Sequence, residues 1–357
     1  MSAAPAPQTG SSAGALALTH SAWINAWTLA RACAPLGVQL CVPEGTPGFP
    51  LPVLADTTRA QWLFFTEEAS LRQAMEAGAP GGYLPRHFPM PLFDDKWVFA
   101  EFLGDEPQGP QGLAQWPLAQ AERAAYPLIL KARHSWRGQR RLPRGWVCRD
   151  AAELQDQLRQ LDAEGLQRED YFLQEWLADQ QHELLSVGGF FDADDESRNV
   201  ALLTERVAVY REGPSSSAML VTRTDEPGLV AASQAVLRRL KFRGPYEMEF
   251  IRAAGRLAVV ELNPRFWMQH GLFLPLGNAL VKRYLGRETA AERAPLPPQR
   301  LAWIDGTWLL RGLLRGDRRV LGACWRWVVR GGWRPVICPG PGYLLALQLR
   351  RLLGLSK

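Results

Sequence analysis

The sequence predicts an α+β protein with more than one lobe. Its 357 residues, 47% of them hydrophobic, form a longer chain than a single hydrophobic core usually accommodates. Apolar residues recur at helical spacing in some segments and at every second position in others. Two alternating segments flank a short turn at 253–256, which predicts a β-hairpin.

The first part of the chain predicts a small α/β domain over 15–92. Residues 1–14 are rich in Ala, Pro, Ser and Gly and contain no Lys or Arg, so we expect a disordered lead-in rather than a signal peptide. Gly37 and Gly78 each follow a helical pattern and end it. The predicted elements are a helix over 22–36, strands over 38–42 and 61–65, and a helix over 67–77.

A second α+β region begins at about residue 93. Its first helix starts in DDKW, with Asp94 or Asp95 as the N-cap and Lys96 in the first turn, where a cation opposes the helix dipole. The next strand carries Lys131. The predicted elements are strands over 126–132, 171–177 and 182–191, and helices over 150–161 and 226–240.

The predicted hairpin carries a cluster of acidic residues. A turn centred on Gly255 sets Glu249 directly opposite Glu261. With uninterrupted pairing, the polar face contains Glu247, Glu249, Val259, Glu261 and Asn263, and the core face contains Met248, Phe250, Val260 and Leu262. Like charges directly opposite on a sheet cost about 0.2–1 kcal/mol, so a cation is expected between them. Oxygen ligands of this kind suit Mg²⁺, although a solvated hairpin face is the alternative.

These residues resemble a known nucleotide site. The step of twelve residues from Glu249 to Glu261, followed by ELNPR at 261–265, is similar to the ATP-grasp superfamily, particularly the biotin carboxylase and carbamoyl-phosphate synthetase branch. The resemblance implies an ATP-grasp fold with Glu249, Glu261 and Asn263 as metal ligands. It places Arg265 close to the phosphates or the reacting carboxylate.

The resemblance extends to two lysines. Lys96 and Lys131 match the two ATP-contacting lysines of the superfamily in order and spacing, and an ammonium group is a suitable point charge for a triphosphate. Each lysine taken alone is an ordinary surface residue. By the resemblance, Lys96 and Lys131 together form a phosphate site, and Arg265 and Lys131 are its catalytic groups.

A third match is the predicted hinge between lobes. By resemblance, backbone groups of Glu175, Trp176 and Leu177 hold the adenine, and Glu183 accepts hydrogen bonds from the ribose hydroxyls. Without that context the same residues are strand residues and a solvated charge.

The segment after Lys131 departs from the superfamily, which has a glycine-rich lid there. This chain has RHSWRGQRRLPRGW, in which we expect the arginines to contact phosphate through their side chains. They are Arg133, Arg137, Arg140, Arg141 and Arg144.

The resemblance implies a reduced α/β domain over 15–92 and an ATP-grasp domain over 93–290, with a small lobe over about 118–180 and a large lobe over about 181–290. Residues 291–357 form a basic, Trp/Leu-rich extension, predicted to be helical. The net charge is +9 after residue 299 and +5 for the whole chain. Helices of this composition either cap the core or lie on a membrane surface, and we favour capping.

The predicted function is an ATP-dependent ligase that uses ATP with Mg²⁺, or Mn²⁺ in its place, to activate a carboxylate as an acyl phosphate. An amine, or a thiol or similar nucleophile, then displaces phosphate. The partners are small-molecule carboxylates and amines, with no nucleic acid, and the oligomeric state is left open. The alternatives are a bicarbonate-activating carboxylase or carbamoyl-phosphate-type enzyme, and a non-catalytic nucleotide-binding, membrane-peripheral module.

Other function classes are not supported by motifs. The sequence contains neither a Gly-Lys dipeptide nor a G-x-G-x-x-G motif after a strand, which excludes a P-loop and the usual dinucleotide fingerprint. No histidine falls in H-E-x-x-H, and the segment GPSSS at 213–217 is not the G-x-S-x-G elbow of a hydrolase. The five cysteines are scattered and odd in number, which favours a reducing, cytoplasmic location.

Overall fold

A computed structural model describes residues 15–20, 24–46, 51–76, 92, 95–105, 109–138, 140–177, 182–209 and 218–340. The predicted lead-in at 1–14 and the closing segment 341–357 lie outside these residues. Within them, no helix is both long enough and apolar enough to cross a membrane.

The strands are numbered in chain order. They are β1 Ala15–Thr19, β2 Val38–Cys41, β3 Trp62–Phe64, β4 Gln115–Trp116, β5 Leu128–Ala132, β6 Trp136–Arg137, β7 Arg140–Arg141, β8 Gly145–Cys148, β9 Tyr171–Glu175, β10 His182–Asp192, β11 Val200–Val209, β12 Ala218–Thr224, β13 Arg243–Ala253, β14 Arg256–Asn263, β15 Leu301–Asp305 and β16 Arg334–Cys338. The described α-helices are Ile24–Cys33, Glu68–Glu76, Lys96–Gly104, Ala151–Ala163, Pro227–Arg239, Ala279–Leu285, Gly306–Arg315 and Arg318–Cys324.

The first sheet is parallel, with strand order β2-β1-β3. The helices Ile24–Cys33 and Glu68–Glu76 and the strands β2 and β3 confirm the predicted α/β elements to within a few residues at each end. The sequence did not predict the central strand β1, because its segment ALALT has few of the β-branched and aromatic residues that mark a strand.

The second sheet is antiparallel, with strand order β4-β9-β5-β8. The helix Ala151–Ala163 begins after Asp150, whose carboxylate accepts a hydrogen bond from the Glu153 N–H at 2.9 Å. Leu154, Leu158 and Leu161 lie on one face of this helix and are buried with the apolar side chains of β5 and β9. One face of this sheet is therefore covered by the helix.

The largest sheet has seven strands in the order β14-β13-β10-β11-β12-β15-β16. The hairpin β13–β14 forms one edge, and its turn residues Ala254 and Gly255 both have positive φ, at 49° and 75°. Positive φ at both central positions is what a two-residue type I′ turn requires, so the predicted hairpin is confirmed.

The pairing of β13 with β14 contains a register shift after Glu249. Glu249 lies opposite Glu261 as predicted, but Phe250 pairs with Val259 rather than with Val260. Val259 is therefore buried in the core beside Met248 and Phe250, while Val260 lines a cavity. The predicted faces of Val259 and Val260 were wrong, because the prediction assumed uninterrupted pairing and a bulge adds one residue.

Residues 291–340 do not form a separate, wholly helical extension. β15 pairs antiparallel with β12, and β16 pairs parallel with β15, so both belong to the seven-stranded sheet. Trp303 in β15 is fully buried. The prediction of a helical extension over 291–357 was wrong for these two strands, since the regular Leu, Trp and Arg spacing of the neighbouring segments favoured helix throughout.

Candidate active site

A cavity of about 520 Å³ lies between the four-stranded and seven-stranded sheets. Its volume is in the range of small-molecule sites, about 300–1,000 Å³. Nine of the ten predicted site residues line it: Lys96, Lys131, Glu175, Trp176, Leu177, Glu249, Glu261, Asn263 and Arg265. The structure therefore brings together residues that are far apart in the sequence.

Part of the cavity lining is apolar. Ile129 on β5 and Val147 on β8 line it from one sheet, and Leu184 on β10, Ile251 on β13 and Val260 on β14 line it from the other. The paired glutamates of the hairpin and the two lysines line it as well. The cavity thus has one surface suited to a flat apolar ring and another suited to charged groups.

The acidic hairpin face is surrounded by cations. Glu249 accepts a hydrogen bond from Arg206 on β11 at 3.2 Å. Burial alone would raise the pKa of Glu261, but the charges of Lys96 and Lys131 outweigh it, with a contribution from Arg144, and hold that pKa below its usual value. The predicted electrostatic repulsion between carboxylates is therefore offset within the protein.

Glu247 lies next to this face and is almost fully buried. Burial and the neighbouring Glu249 raise the pKa of Glu247 to about 8. Its carboxylate accepts a hydrogen bond from the Asn263 amide at 3.3 Å, which fixes the Asn263 side chain. Glu247 therefore holds a proton at higher pH than Glu261 does.

Lys131 enters the cavity from β5 and is 8% exposed. Its ammonium donates a hydrogen bond to the Gln174 side-chain oxygen at 2.9 Å. Burial lowers the pKa of Lys131 from 10.5 to about 8, against the opposing attraction of Glu261. Lys96 begins its helix directly after Asp95, the N-cap, which accepts the Trp97 N–H at 2.9 Å.

Arg265 joins the hairpin to the N-terminal domain. Two of its nitrogens donate to Glu68 Oε1 at 2.8 and 2.6 Å, and one donates to the Asn263 side-chain oxygen at 3.3 Å. Burial by itself would raise the pKa of Glu68, but the adjacent Arg265 guanidinium outweighs burial and lowers that pKa to about 2. Sequence reasoning missed Glu68 and Arg206, because each meets its partner only in the folded chain.

The cavity fits a magnesium nucleotide by donor type and by charge. Glu249 and Glu261, directly opposite each other, and Asn263 supply oxygen donors. In the described residues no group of three or more His, Cys, Asp or Glu side chains is arranged to hold a metal. The two carboxylates and the Asn263 amide oxygen would therefore need phosphate oxygens or water to complete the coordination of a metal ion. Six cationic and four acidic side chains line the cavity, which gives a net charge opposite to that of Mg-ATP.

Glu183, predicted to contact the ribose, does not line the cavity. In β10 the neighbours His182 and Leu184 line the cavity, so Glu183 points to the other side of the strand. There it accepts a hydrogen bond from Arg252 at 2.7 Å. Successive residues of a strand point to opposite faces, so a shift of one residue decides whether Glu183 lines the cavity. The sequence pattern did not specify which residues of β10 face the cavity.

The predicted adenine hinge lines the cavity, but part of its backbone is already paired. The N–H of Glu175 donates to Ala114 at 2.9 Å and that of Trp176 to Pro127 at 3.3 Å. The N–H of Leu177 has no such bond to a described residue. The Glu175 carboxylate is held by Arg256, with two contacts of 2.9 Å.

The arginine-rich segment forms the small hairpin β6–β7 rather than an open loop. Arg133 pairs with Asp95, Arg137 with Asp170, and Arg140 donates to the Glu164 carbonyl. None of these three arginines, for which phosphate contacts were predicted, lines the cavity. Arg144 does line the cavity.

No protein-family model and no characterised protein sequence matches the chain. Its fold is similar to that of N5-carboxyaminoimidazole synthetase from Staphylococcus aureus (TM-score 0.61, 11% identity, 85% of this chain and 86% of that chain). It is also similar to biotin carboxylase from Campylobacter jejuni (TM-score 0.58, 13% identity, 79% and 72%). A third similar structure is Rhizobium etli pyruvate carboxylase (TM-score 0.57, 15% identity), of which this chain covers 28%.

These structures share one architecture. The chain has the ATP-grasp fold. The fold predicted from the hairpin spacing and the ELNPR segment is thereby confirmed. In this ATP-grasp chain the paired glutamates of the hairpin and the lysine of β5 face each other across the cavity between the two sheets.

Proposed function

We propose that this chain is an ATP-dependent ligase that activates a carboxylate as an acyl phosphate and passes it to an amine or a similar nucleophile. The observation that carries the proposal is the pairing of Glu249 with Glu261 in a cavity that also contains Lys96 and Lys131. Two carboxylates facing two ammonium groups match a metal-bound triphosphate, which presents both a cation and phosphate oxygens.

The similar structures support a nucleotide in this cavity. The structure of the Campylobacter jejuni enzyme is a β,γ-ATP complex. The Staphylococcus aureus synthetase also has an ADP complex, to which this chain is similar with a TM-score of 0.60 and 12% identity. We infer that ATP occupies the corresponding space here, with the adenine against the apolar lining residues and the phosphates beside Lys131.

Each site residue has a role in this proposal. Glu249, Glu261 and Asn263 hold Mg²⁺ or Mn²⁺, which neutralises charge on the phosphates. Lys96 and Lys131 donate to phosphate oxygens. Their charge stabilises the negative charge that builds up on the transferring phosphoryl group and on the ADP leaving group.

In this proposal Arg265 is a catalytic residue that contacts the substrate carboxylate. Its guanidinium is held by Glu68 and Asn263, so it is oriented before substrate binds. Nε and Nη2 already donate to Glu68 and Asn263, and Nη1 donates to the Phe266 carbonyl at 3.4 Å. The remaining hydrogen of Nη1 is therefore the donor that would contact the substrate carboxylate.

The proposed reaction has two steps. A carboxylate oxygen attacks the γ-phosphorus, the bond from that phosphorus to the β–γ bridging oxygen breaks, and ADP leaves. The amine then attacks the acyl carbon, the carbon–oxygen bond to phosphate breaks, and its excess proton passes to solvent. The products are an amide, ADP and inorganic phosphate.

Two alternatives share the cavity. A bicarbonate-activating enzyme would use the same phosphoryl transfer, and two of the similar structures are named as carboxylases. A non-catalytic nucleotide-binding module would bind ATP without turnover, and the paired arginines of β6–β7 in place of a lid favour it.

ADP release distinguishes the three. We expect release when pooled carboxylates and amines are supplied together with Mg-ATP, and a matched Glu261→Gln variant should release none. Stimulation by bicarbonate alone would instead identify the carboxylase. Tight ATP binding with no stimulation by any pool would leave the binding module.

A further inference from the structure

Two neighbouring helices near the C-terminal end expose large apolar side chains. They are Gly306–Arg315 and Arg318–Cys324, and the second continues as a π-helical turn over Trp325–Arg330. We call the exposed residues the apolar patch: Leu313 (58% exposed), Leu314 (71%), Leu321 (39%), Trp325 (62%) and Val329 (59%). Single exposed apolar residues are ordinary on a protein surface, but five on one helix pair are not.

The inner faces of both helices are already packed. Trp308 and Val320 are buried in a core that also contains Leu220 and Ile304 of the seven-stranded sheet. Gly312 lies so close to Val320 that a Cβ there would be 2.3 Å from a Val320 methyl group. The helices are thus packed against the sheet, and the residues of the apolar patch are not part of that core.

The spacing within each helix puts the exposed residues on one side. Leu313 and Leu314 follow Leu310 at three and four residues, and Leu321, Trp325 and Val329 recur every four. Each helix is therefore apolar on its outer side as well as on its packed side. Such a side remains in water unless something covers it.

The charges around the apolar patch are almost all positive. Seven arginines lie between 306 and 334: Arg311, Arg315, Arg318, Arg319, Arg326, Arg330 and Arg334. The acidic residues near them, Asp305 and Asp317, cap the two helices by accepting backbone N–H groups. Where the structure describes the chain, none of these seven arginines forms an ion pair, whereas Arg198, Arg252 and Arg265 of the ATP-grasp body do.

We propose that the apolar patch and its arginines dock the protein on an anionic lipid bilayer. Leu and Trp side chains enter the headgroup region, and the surrounding guanidinium groups bind lipid phosphates and carboxylates. A nucleic acid would be attracted by the arginines but would leave the leucines in water. A second copy of the chain would bring like charges together around the apolar contact.

The docking helices lie beside the ATP cavity. Val207 and Ala208 of β11 contact the same core as Trp308, and both also line the cavity. Docking therefore holds the cavity close to the bilayer surface. The proposal does not depend on which substrate the cavity takes.

The test is vesicle sedimentation with the full chain. We expect binding to vesicles of phosphatidylcholine and phosphatidylserine in equal parts at low salt, release at high salt, and little binding to phosphatidylcholine alone. The same binding to neutral vesicles, or none to either kind, overturns the proposal.

Matched variants test whether the apolar patch is the part of the protein that contacts the vesicle. Leu314→Glu with Trp325→Glu should lower vesicle binding at least tenfold, while Val53→Glu, at a residue 61% exposed outside the patch, should not change it. The closing segment 341–357 is present in all three proteins, so their difference reports on the patch. Equal binding by the patch variant and wild type would refute the proposal.

Binding partners other than a bilayer predict different results in these experiments. A wild-type dimer that the patch variant converts to a monomer would identify a second copy of the chain instead of a bilayer. Patch-dependent binding of single-stranded RNA without vesicle binding would identify a nucleic acid. Equal thermal unfolding temperatures for the variants and wild type would show that lost binding is not lost folding.

Discussion

Raising the pH above 8 should weaken ATP binding, because Lys131 then loses its charge. Burial lowers the pKa of Lys131 to about 8 in the free protein. Phosphate oxygens attract the ammonium form and not the neutral amine, so bound ATP raises that pKa. Affinity is therefore full below pH 8 and falls by about tenfold per pH unit above it, until the pKa of the bound state is passed.

The size of the effect follows from the contact. A hydrogen bond to a charged group contributes about 1.5–3 kcal/mol, so Lys131→Met should weaken ATP binding by roughly ten- to 150-fold at pH 7.5. Lys131→Arg should rescue it only in part. The site is 8% exposed and shaped around the bond to Gln174, and a guanidinium is larger and planar.

The assay is titration calorimetry with Mg²⁺ present, at several pH values and in buffers of different ionisation enthalpy. Wild type should take up about half a proton per ATP at pH 8 through Lys131. Burial also raises the pKa of Glu247 to about 8, so the difference between wild type and Lys131→Met isolates the lysine. The exposed Lys241→Met is the matched control.

Two results would refute this reasoning. One is ATP affinity that does not change between pH 7.5 and 10 in the wild type. The other is the same pH dependence in Lys131→Met, which would assign the titration to another group. Either outcome would remove Lys131 from the phosphate site.

Three further predictions concern the carboxylates. Glu261→Gln should abolish turnover and leave the fold intact; more than about a tenth of wild-type activity, a barrier change below ~1.4 kcal/mol, would contradict its role as a metal ligand. Glu68→Gln should lose up to about 3 kcal/mol of unfolding free energy above pH 4.5, because Arg265 holds the Glu68 pKa near 2, and this loss should shrink as the pH falls toward 2. Urea unfolding that shows the same loss at pH 7 and pH 3 would rule this out. Glu183→Gln should change ATP affinity by less than about twofold, since Glu183 pairs with Arg252 away from the cavity, and a tenfold loss would restore its ribose role.

Local patterns were enough to predict that the acidic hairpin forms. The two-residue turn at Ala254 and Gly255 pairs Ala253 with Arg256, and uninterrupted pairing from there would put Glu249 opposite Val260. The bulge after Glu249 shifts the register by one residue and puts Glu249 opposite Glu261. The prediction centred the turn on Gly255 and assumed no bulge, and these two differences cancel at Glu249. The Val259 N–H donates to the Gln111 carbonyl at 2.8 Å, and this contact with a distant segment is absent from the hairpin's own sequence.

The contacts that complete the site are long-range. Glu68 meets Arg265 across 197 residues, and Arg206 meets Glu249 across 43. A glutamate in the first turn of a helix is already explained by the helix dipole, so nothing local marked Glu68 as a site residue. The buried strand β15 was missed for a related reason, since its five residues gain their meaning only from pairing with β12 and β16.

The central claim is that the chain transfers the γ-phosphoryl group of ATP to a carboxylate, and isotope transfer tests it most directly. Candidate carboxylates carrying ¹⁸O at both oxygens would be incubated with Mg-ATP, an amine pool and the protein, and the released phosphate analysed by mass spectrometry. An acyl phosphate predicts phosphate with one ¹⁸O atom, because the attacking oxygen leaves with the phosphorus. Glu261→Gln should give none. Turnover that releases only unlabelled phosphate would contradict the account, since the phosphoryl group would then have passed to water or to another acceptor.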